Sequence, residues 1–334
     1  KGESNSMRSL TKEDLKTFEN LVGLTQQGMH QAMCIYLKSK YAQVKVAKDY
    51  IIAIGEIPIG LVAHMDTVFK APVKNLYYDQ QKGILWSPEG LGADDRAGIF
   101  AILKIIESGL RPSIIFTTDE EIGGIGASAL SEIECPIPNL KYLIQLDRRG
   151  TNDCVFYDCY NPDFTTYIES FGFIENYGSF SDISFLCPEW KVCGVNLSVG
   201  YENEHSIAET CNVNALYDTI KKVQRMLRVS HIPDFEYAEL PSMYSRWFDG
   251  ISSCDDLDLY GYAYCTKCHR VFADYELIPT KGKDKNTKYY CPDCICDTVE
   301  WCDICGEAYE ITNKTTNGHL CDDCKTKEPA KKDV

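Results

Sequence analysis

The chain has 334 residues, 44% of them hydrophobic and 25% charged, with a formal net charge of −15. That length suggests about two compact units, and the acidic balance argues against general affinity for nucleic acid or anionic lipid. No apolar run approaches the roughly 18 residues that a membrane-spanning helix needs.

Thr11 with Asp14 reads as a helix-start box, and Leu15, Phe18, Leu21 and Val22 follow at helical spacing. A second amphipathic stretch carries Met29, Met33, Tyr36 and Leu37. Residues 43–47 and 50–54 read as a strand pair, and 59–63 as a central strand ending on His64. The spacing of Ile99, Ile102, Ile105 and Ile106 predicts a helix over 98–106. Buried strands follow at 114–118, leading to Glu120 and Glu121, and at 142–146, ending on Asp147. A later strand at 192–199 leads towards His205, and Leu216, Ile220, Val223 and Leu227 mark a closing helix over 213–227. Strands alternating with helices predict an α/β fold with a largely parallel mixed sheet flanked by helices.

Residues 1–6 resemble an expression scar ahead of a start at Met7, and no secretory signal opens the chain. We therefore expect a catalytic domain over 7–232 and a linker over 233–253, where Pro233, Pro241 and several aromatics break the pattern and suggest a tether packed on the surface. Two cysteine modules over 254–296 and 297–326 and a charged tail over 327–334 complete the expected organisation.

Five short islands carry the chemistry: His64-Met65-Asp66, Gly92-Ala93-Asp94-Asp95-Arg96-Ala97-Gly98, Asp119-Glu120-Glu121-Ile122-Gly123, Leu146-Asp147, and Glu204-His205-Ser206. Most end an apolar run, which places polar side chains at the carboxyl edge of a sheet, where open α/β folds bind ligands. Zinc prefers nitrogen, sulfur and carboxylate oxygen, and a catalytic site keeps one position open. Two metals sharing a carboxylate need about two further ligands each and a separate base, and this chain supplies that number.

In these motifs the chain resembles the co-catalytic zinc exopeptidases of clan MH, a group that includes peptidase T, bacterial leucyl aminopeptidases, glutamate carboxypeptidases and aminoacylases. The resemblance covers about residues 10–228, and Phe180-Ser181-Asp182-Ile183-Ser184-Phe185 also resembles a serine-aspartate motif of some of these aminopeptidases. It implies that Asp94 bridges two metals, with a cis peptide after it. His64 and Asp147 would complete one ion's ligands, and Glu121 and His205 the other's. Asp66 would hold the far ring nitrogen of His64, and Glu120 would act as the base towards a water shared by the metals. Only residues 148–204 separate Asp147 from the final histidine, which leaves no room for the inserted lid domain of many relatives.

The implied activity is that of a metal-dependent amide-bond hydrolase, foremost an aminopeptidase removing N-terminal residues from short peptides. An Asp at 147 resembles the aminopeptidase branch. An N-acyl deacylase or a carboxypeptidase on the same fold is the alternative, and a non-catalytic scaffold whose cysteine modules bind a protein or nucleic acid is the second. Arg148 and Arg149 directly follow Asp147 and are candidates for pairing with a substrate carboxylate. Tyr201 is a candidate for stabilising an oxyanion, or for packing at the rim. Two catalytic zinc ions are expected, with cobalt or manganese as substitutes.

The sequence holds 17 cysteines, and eight fall in CxxC pairs near its end. Cys265, Cys268, Cys291 and Cys294 have zinc-ribbon spacing, as do Cys302, Cys305, Cys321 and Cys324. Two structural zinc ions, a reducing compartment and a cytoplasmic location follow as expectations. Cys254, Cys296, His269 and His319 are weaker candidate ligands. More Asp and Glu than Lys and Arg from Cys254 onward favours a protein contact for these modules over nucleic acid.

Overall fold

The computed structural model divides into two units, Lys1–Ser242 and Met243–Val334. The structure describes residues 10–157, 159–178 and 180–238, and short segments between 262 and 310 in the second unit. Among the described residues no helix is long and apolar enough to cross a membrane.

The first unit opens with helices α1 (Lys12–Val22) and α2 (Gln26–Lys40). The Thr11 and Thr25 hydroxyls accept the backbone N–H groups of Asp14 and Gly28, satisfying donors that a helix start leaves free. Strands β1 (Gln43–Val46), β2 (Tyr50–Ile54) and β3 (Ile57–His64) follow. After the short strands β4 (Tyr77–Asp79) and β5 (Ile84–Trp86) come α3 (Ala93–Glu107), β6 (Pro112–Thr117) and α4 (Ile125–Ser131). Strands β7 (Tyr142–Arg148) and β8 (Asp153–Val155) precede α5 (Pro162–Glu169), β9 (Ile174–Glu175), α6 (Ile183–Trp190) and β10 (Cys193–Ser198). The unit closes with β11 (Tyr201–Glu202), β12 (Thr210–Asn212) and α7 (Val213–Met226).

Eight strands form one mixed sheet in the order β1-β2-β6-β3-β7-β10-β8-β9. Its centre is parallel: β3 pairs with β6 and β7, and β7 with β10. Central parallel strands are covered on both faces, which is why 59–63 and 114–117 read as continuous apolar runs rather than as alternations. Leu61, Ala63, Ile114 and Phe116 pack into the cluster that holds α1, α3 and α7. Their neighbours Val62 and Ile115 turn to the opposite layer, against Leu130, Ile183 and Leu186 of α4 and α6. A second sheet, β11-β12-β5-β4, is built from two- and three-residue strands.

Helix α3 is buried on nearly all sides, and its head is irregular: Asp94 (φ −78, ψ 103) and Asp95 (φ −115, ψ 41) depart from helical values, so regular helix starts after them, close to the expected span. A Cβ on Gly98 would meet the Leu146 carbonyl oxygen at 2.0 Å, so glycine allows α3 to lie directly on β7. Beyond α7, Phe235 packs among Tyr142, Phe164 and Tyr167. The N–H of Tyr160 donates to the Ala238 carbonyl, so the chain stays on the first unit through this point.

The second unit contains a hairpin, β13 (Tyr262–Tyr264) with β14 (Val271–Ala273), and a four-stranded sheet. That sheet runs in the order β16-β15-β18-β17, from β15 (Ile278–Lys281), β16 (Thr287–Tyr290), β17 (Val299–Trp301) and β18 (Ala308–Glu310). Strands from either side of residue 297 therefore share one sheet. Cys265, Leu277, Tyr290, Cys291, Cys294, Val299 and Ala308 form its small core. Of the expected cysteine ligands, Cys268, Cys305, Cys321 and Cys324 lie outside the described residues, as do Cys254, Cys296, His269 and His319.

Candidate active site

The parallel strands deliver four of the five islands to one edge of the sheet. β3 ends on His64, β7 carries Asp147, β6 runs into the turn of Glu120 and Glu121, and β10 leads through β11 to His205. Asp94 arrives from the start of α3, after Gly92 at φ 64 turns the chain. The Asp94–Asp95 peptide is cis.

Two donor triads result, and Asp94 belongs to both. Ligand atoms of His64, Asp94 and Asp147 lie within 4.8 Å of one another, and so do those of Asp94, Glu121 and His205. The carboxylate of Asp94 divides between them. Its Oδ1 is 3.0 Å from His64 Nε2 and its Oδ2 is 3.2 Å from His205 Nε2. His64 Nε2 is also 3.5 Å from Asp147 Oδ1, and His205 Nε2 is 3.0 Å from Glu121 Oε2. The His64 ring is fully buried, whereas the His205 side chain is 53% exposed. His205 holds φ 60, a left-handed conformation that is uncommon for non-glycine residues.

A layer of hydrogen bonds fixes these groups. His64 Nδ1 lies 3.2 Å from Asp66 Oδ1, and Asp66 also accepts the N–H groups of Glu120 and Glu121 at 3.1 and 3.0 Å. Asp95 accepts the N–H groups of His64 and Gly98. Asn196 clamps Asp147, accepting its N–H at 3.0 Å and donating to its carbonyl at 2.7 Å. The Ser181 and Tyr201 hydroxyls donate to the two carboxylate oxygens of Asp147, at 2.9 and 3.1 Å. Glu209 accepts the N–H groups of Gly92 and Asp94 at 2.6 and 3.0 Å, holding the turn that presents Asp94. Asn196 and Glu209 carry no motif signal, and sequence reasoning missed them; Asp95 lay within the Gly92–Gly98 motif without being given this role. Ser181 lay within the serine-aspartate motif.

The cluster concentrates buried carboxylates around two imidazoles. Burial, together with the charges of Asp147, Asp182 and Asp94, pushes Glu120 up to about 9. Burial and the neighbouring Asp94 push Asp147 up to about 7. Burial opposes ionisation of Asp94 too, but hydrogen bonds from His205 and His64 hold it well below the usual carboxylate range. Hydrogen bonds to Asp94 and Glu121 raise His205 to about 11. His64 is raised as well, since Asp147, Asp66 and Asp94 outweigh its burial. Glu121 Oε1 is buried without a hydrogen-bond partner. A buried carboxylate oxygen of that kind costs free energy unless a cation meets it. The donor set is imidazole and carboxylate, which suits zinc, with cobalt or manganese as substitutes.

Beside the triads lies a cavity of about 320 Å³, lined by Asp94, Glu120, Glu121, Asp147, Tyr157, Tyr201 and His205 among others, with Arg148 and Arg149 in its wall. Every expected residue of this site is thus in or beside one cluster. Tyr201 is the exception in kind: its hydroxyl is engaged by Asp147. In the second unit the sulfurs of Cys265, Cys291 and Cys294 lie within 4.8 Å of one another, which joins the first CxxC pair to the second. Cys302 is also buried.

No protein-family model matches the chain, and no curated protein matches it by sequence. Solved structures do match in fold. An aminopeptidase, PepT, from Bacillus cereus ATCC 10987 superposes with a TM-score of 0.51 at 16% identity, covering 65% of this chain and 97% of its own. A tripeptidase from Staphylococcus aureus superposes with a TM-score of 0.53 at 15% identity, covering 67% of this chain and 99% of its own. The architecture of the first unit is therefore one also used by peptidases.

Proposed function

We propose that the chain is a metal-dependent aminopeptidase that removes N-terminal residues from short peptides. The observation that carries this reading is the division of Asp94 between two ligand triads, with Glu120 beside them. In this reading His64 and Asp147 would hold one ion and Glu121 and His205 the other, with Asp94 available to both. When bound, such ions polarise the scissile carbonyl and acidify water. Asp66 keeps His64 in the tautomer that leaves Nε2 free for the metal. Glu120 takes a proton from the attacking water and passes it to the leaving amine. Its upward-shifted pKa in the protein alone reflects its burial and the surrounding carboxylates, and two cations would lower it towards the range of a working base. Ser181, Asn196 and Tyr201 orient Asp147. The fold shared with an aminopeptidase and a tripeptidase supports the same reading.

The second unit carries structural zinc in this proposal, with Cys265, Cys268, Cys291 and Cys294 around one ion and Cys302, Cys305, Cys321 and Cys324 around another. Thiolate sites of this type supply folding free energy to modules with little core, and the proposed role of the unit is contact with a protein partner.

The test is mass spectrometry of products after zinc- or cobalt-loaded protein meets a peptide mixture, half of it N-acetylated. Stepwise loss of N-terminal residues from the free peptides alone is expected. Release of acetate would replace the aminopeptidase by a deacylase, and an untouched mixture would sink both.

A further inference from the structure

We propose that Arg148 receives the C-terminal carboxylate of the substrate, so that the site is built for very short peptides carrying that free acid. The inference rests on the peptidase reading above and names its substrate class.

Three observations carry it. The first is a bulge. Asp147 and Arg148 are consecutive on β7, and a regular strand would turn them to opposite faces. Between the pairs Gln145↔Asn196 and Arg148↔Ser198, however, β7 advances three residues while β10 advances two. Such a bulge re-aims a side chain, and Asp147, Arg148 and Arg149 all line the same cavity.

The second is a guanidinium with an unmatched buried nitrogen. Arg148 Nε is buried without a hydrogen-bond partner. Among the described residues the group's one ion contact is Asp153 Oδ2 at 3.6 Å, beyond hydrogen-bond length. That oxygen takes the Asn176 amide at 2.8 Å instead. Arg149 differs: its side chain is exposed and paired with Glu204 at 2.8 Å. The cavity thus offers one half-buried planar fork, of the geometry that binds a carboxylate through two parallel N–H donors.

The third is size and charge. A cavity of about 320 Å³ lies at the small end of ligand sites. Its acidic groups gather at the triads, and Arg148 pairs with none of them. Away from the triads and their ions, the positive side chains lining this cavity are Arg148 and Arg149, and Arg149 is already paired with Glu204.

The experiment compares kcat and KM for Leu-Ala, Leu-Ala amide and Leu-Asp amide, using metal-loaded full-length protein and its Arg148→Met and Arg148→Lys variants. Circular dichroism and metal content check each variant's folding. The wild type is expected to favour the free acid over its amide by about 10- to 100-fold in kcat/KM, chiefly through KM, as for a charged hydrogen bond that is equally present in ground and transition states. Arg148→Met is expected to bring that ratio towards one, and Arg148→Lys to give an intermediate ratio. A wild type indifferent to the acid, or a Met variant that lowers both substrates in proportion, overturns the proposal. Leu-Asp amide matching Leu-Ala overturns the assignment to the terminal carboxylate.

Calorimetric titration of Leu-Ala and its amide into metal-loaded Glu120→Gln separates this inference from the activity. Acid-selective binding without wild-type hydrolysis would support the Arg148 contact and sink the peptidase reading. Hydrolysis without acid-selective binding would do the reverse.

Discussion

Asp66 Oδ2 accepts the backbone N–H of Glu121 at 3.0 Å, so one carboxylate ties the strand that ends on His64 to the turn that carries the proposed base and a proposed ligand. The other oxygen of Asp66 lies 3.2 Å from His64 Nδ1 and also accepts the N–H of Glu120. Asp66 therefore does more than select a tautomer: it sets the position of both glutamates relative to His64.

Replacing Asp66 by Ala removes all three contacts at once. Loss of a carboxylate that orients a ligating histidine typically costs about 10- to 100-fold in metal affinity or activity. Because the Glu120–Glu121 turn is released as well, the expected loss in kcat/KM reaches the top of that range even at saturating metal. Asp66→Asn keeps an acceptor for the histidine and is expected to retain more metal affinity than activity. Metal titrations beside kinetics at saturating metal check this. An Ala variant restored fully by excess metal would show that the turn does not depend on Asp66.

Asp94 and Glu120 separate metal binding from proton transfer. Asp94→Ala removes the only group common to the two triads, so both ions of the first unit are expected to be lost together, leaving metal in the cysteine unit. Glu120→Gln is expected to keep its metal while kcat falls by roughly 10²–10⁴, the usual weight of a general base. Metal counting by atomic emission beside kinetics distinguishes the two. Loss of a single ion in Asp94→Ala would show that the sites fill independently.

Most of this cluster was legible because most of the islands end an apolar run. A strand such as 59–63 announces itself by composition, and whatever follows it stands at the sheet's edge. The parallel centre of the sheet was readable for the same reason. The supporting residues were not. Glu209 and Asn196 act through pairs of hydrogen bonds to backbone groups distant in sequence, and no periodicity marks such a residue. The burial of Asp94, Asp95 and Arg96 at the head of α3 was hidden too, because residues polar in sequence give no apolar spacing. The second sheet escaped because strands as short as β5 and β12 carry too few residues to show alternation.

Glu209 is the clearest test of that hidden layer. It is 1% exposed and its two oxygens accept the N–H groups of Gly92 and Asp94. Glu209→Ala leaves both donors buried and unmatched, a cost of about 1–3 kcal/mol for each such group. A lowered Tm and weaker metal binding are expected together, since the same N–H groups fix the Asp94 turn. Glu209→Gln keeps one acceptor and should fall between. Unchanged metal affinity in the Ala variant would mean that the turn holds its shape without Glu209.

The metal-free protein is expected to lose stability as pH rises, and the metal-loaded protein is not. Glu120 stands at about 9 against an ordinary 4.5, and His205 at about 11 against 6.5. In both cases the folded state holds its proton where the unfolded chain has released it. A group that binds more protons in the folded state makes stability fall with pH between the two values. For Glu120 that window runs upward from 4.5, and for His205 upward from 6.5. Asp94 has the opposite sign, but its contribution disappears only as pH drops below its ordinary 3.8, outside this range. Chelated protein should therefore show a Tm that declines from about pH 5.5 to about pH 8.5. Bound cations expel these protons, so loading should flatten the decline and release protons into a weakly buffered solution. Thermal scans across pH with chelator and with zinc test it, and a chelated protein that gains stability over this window would contradict the charge balance of the site.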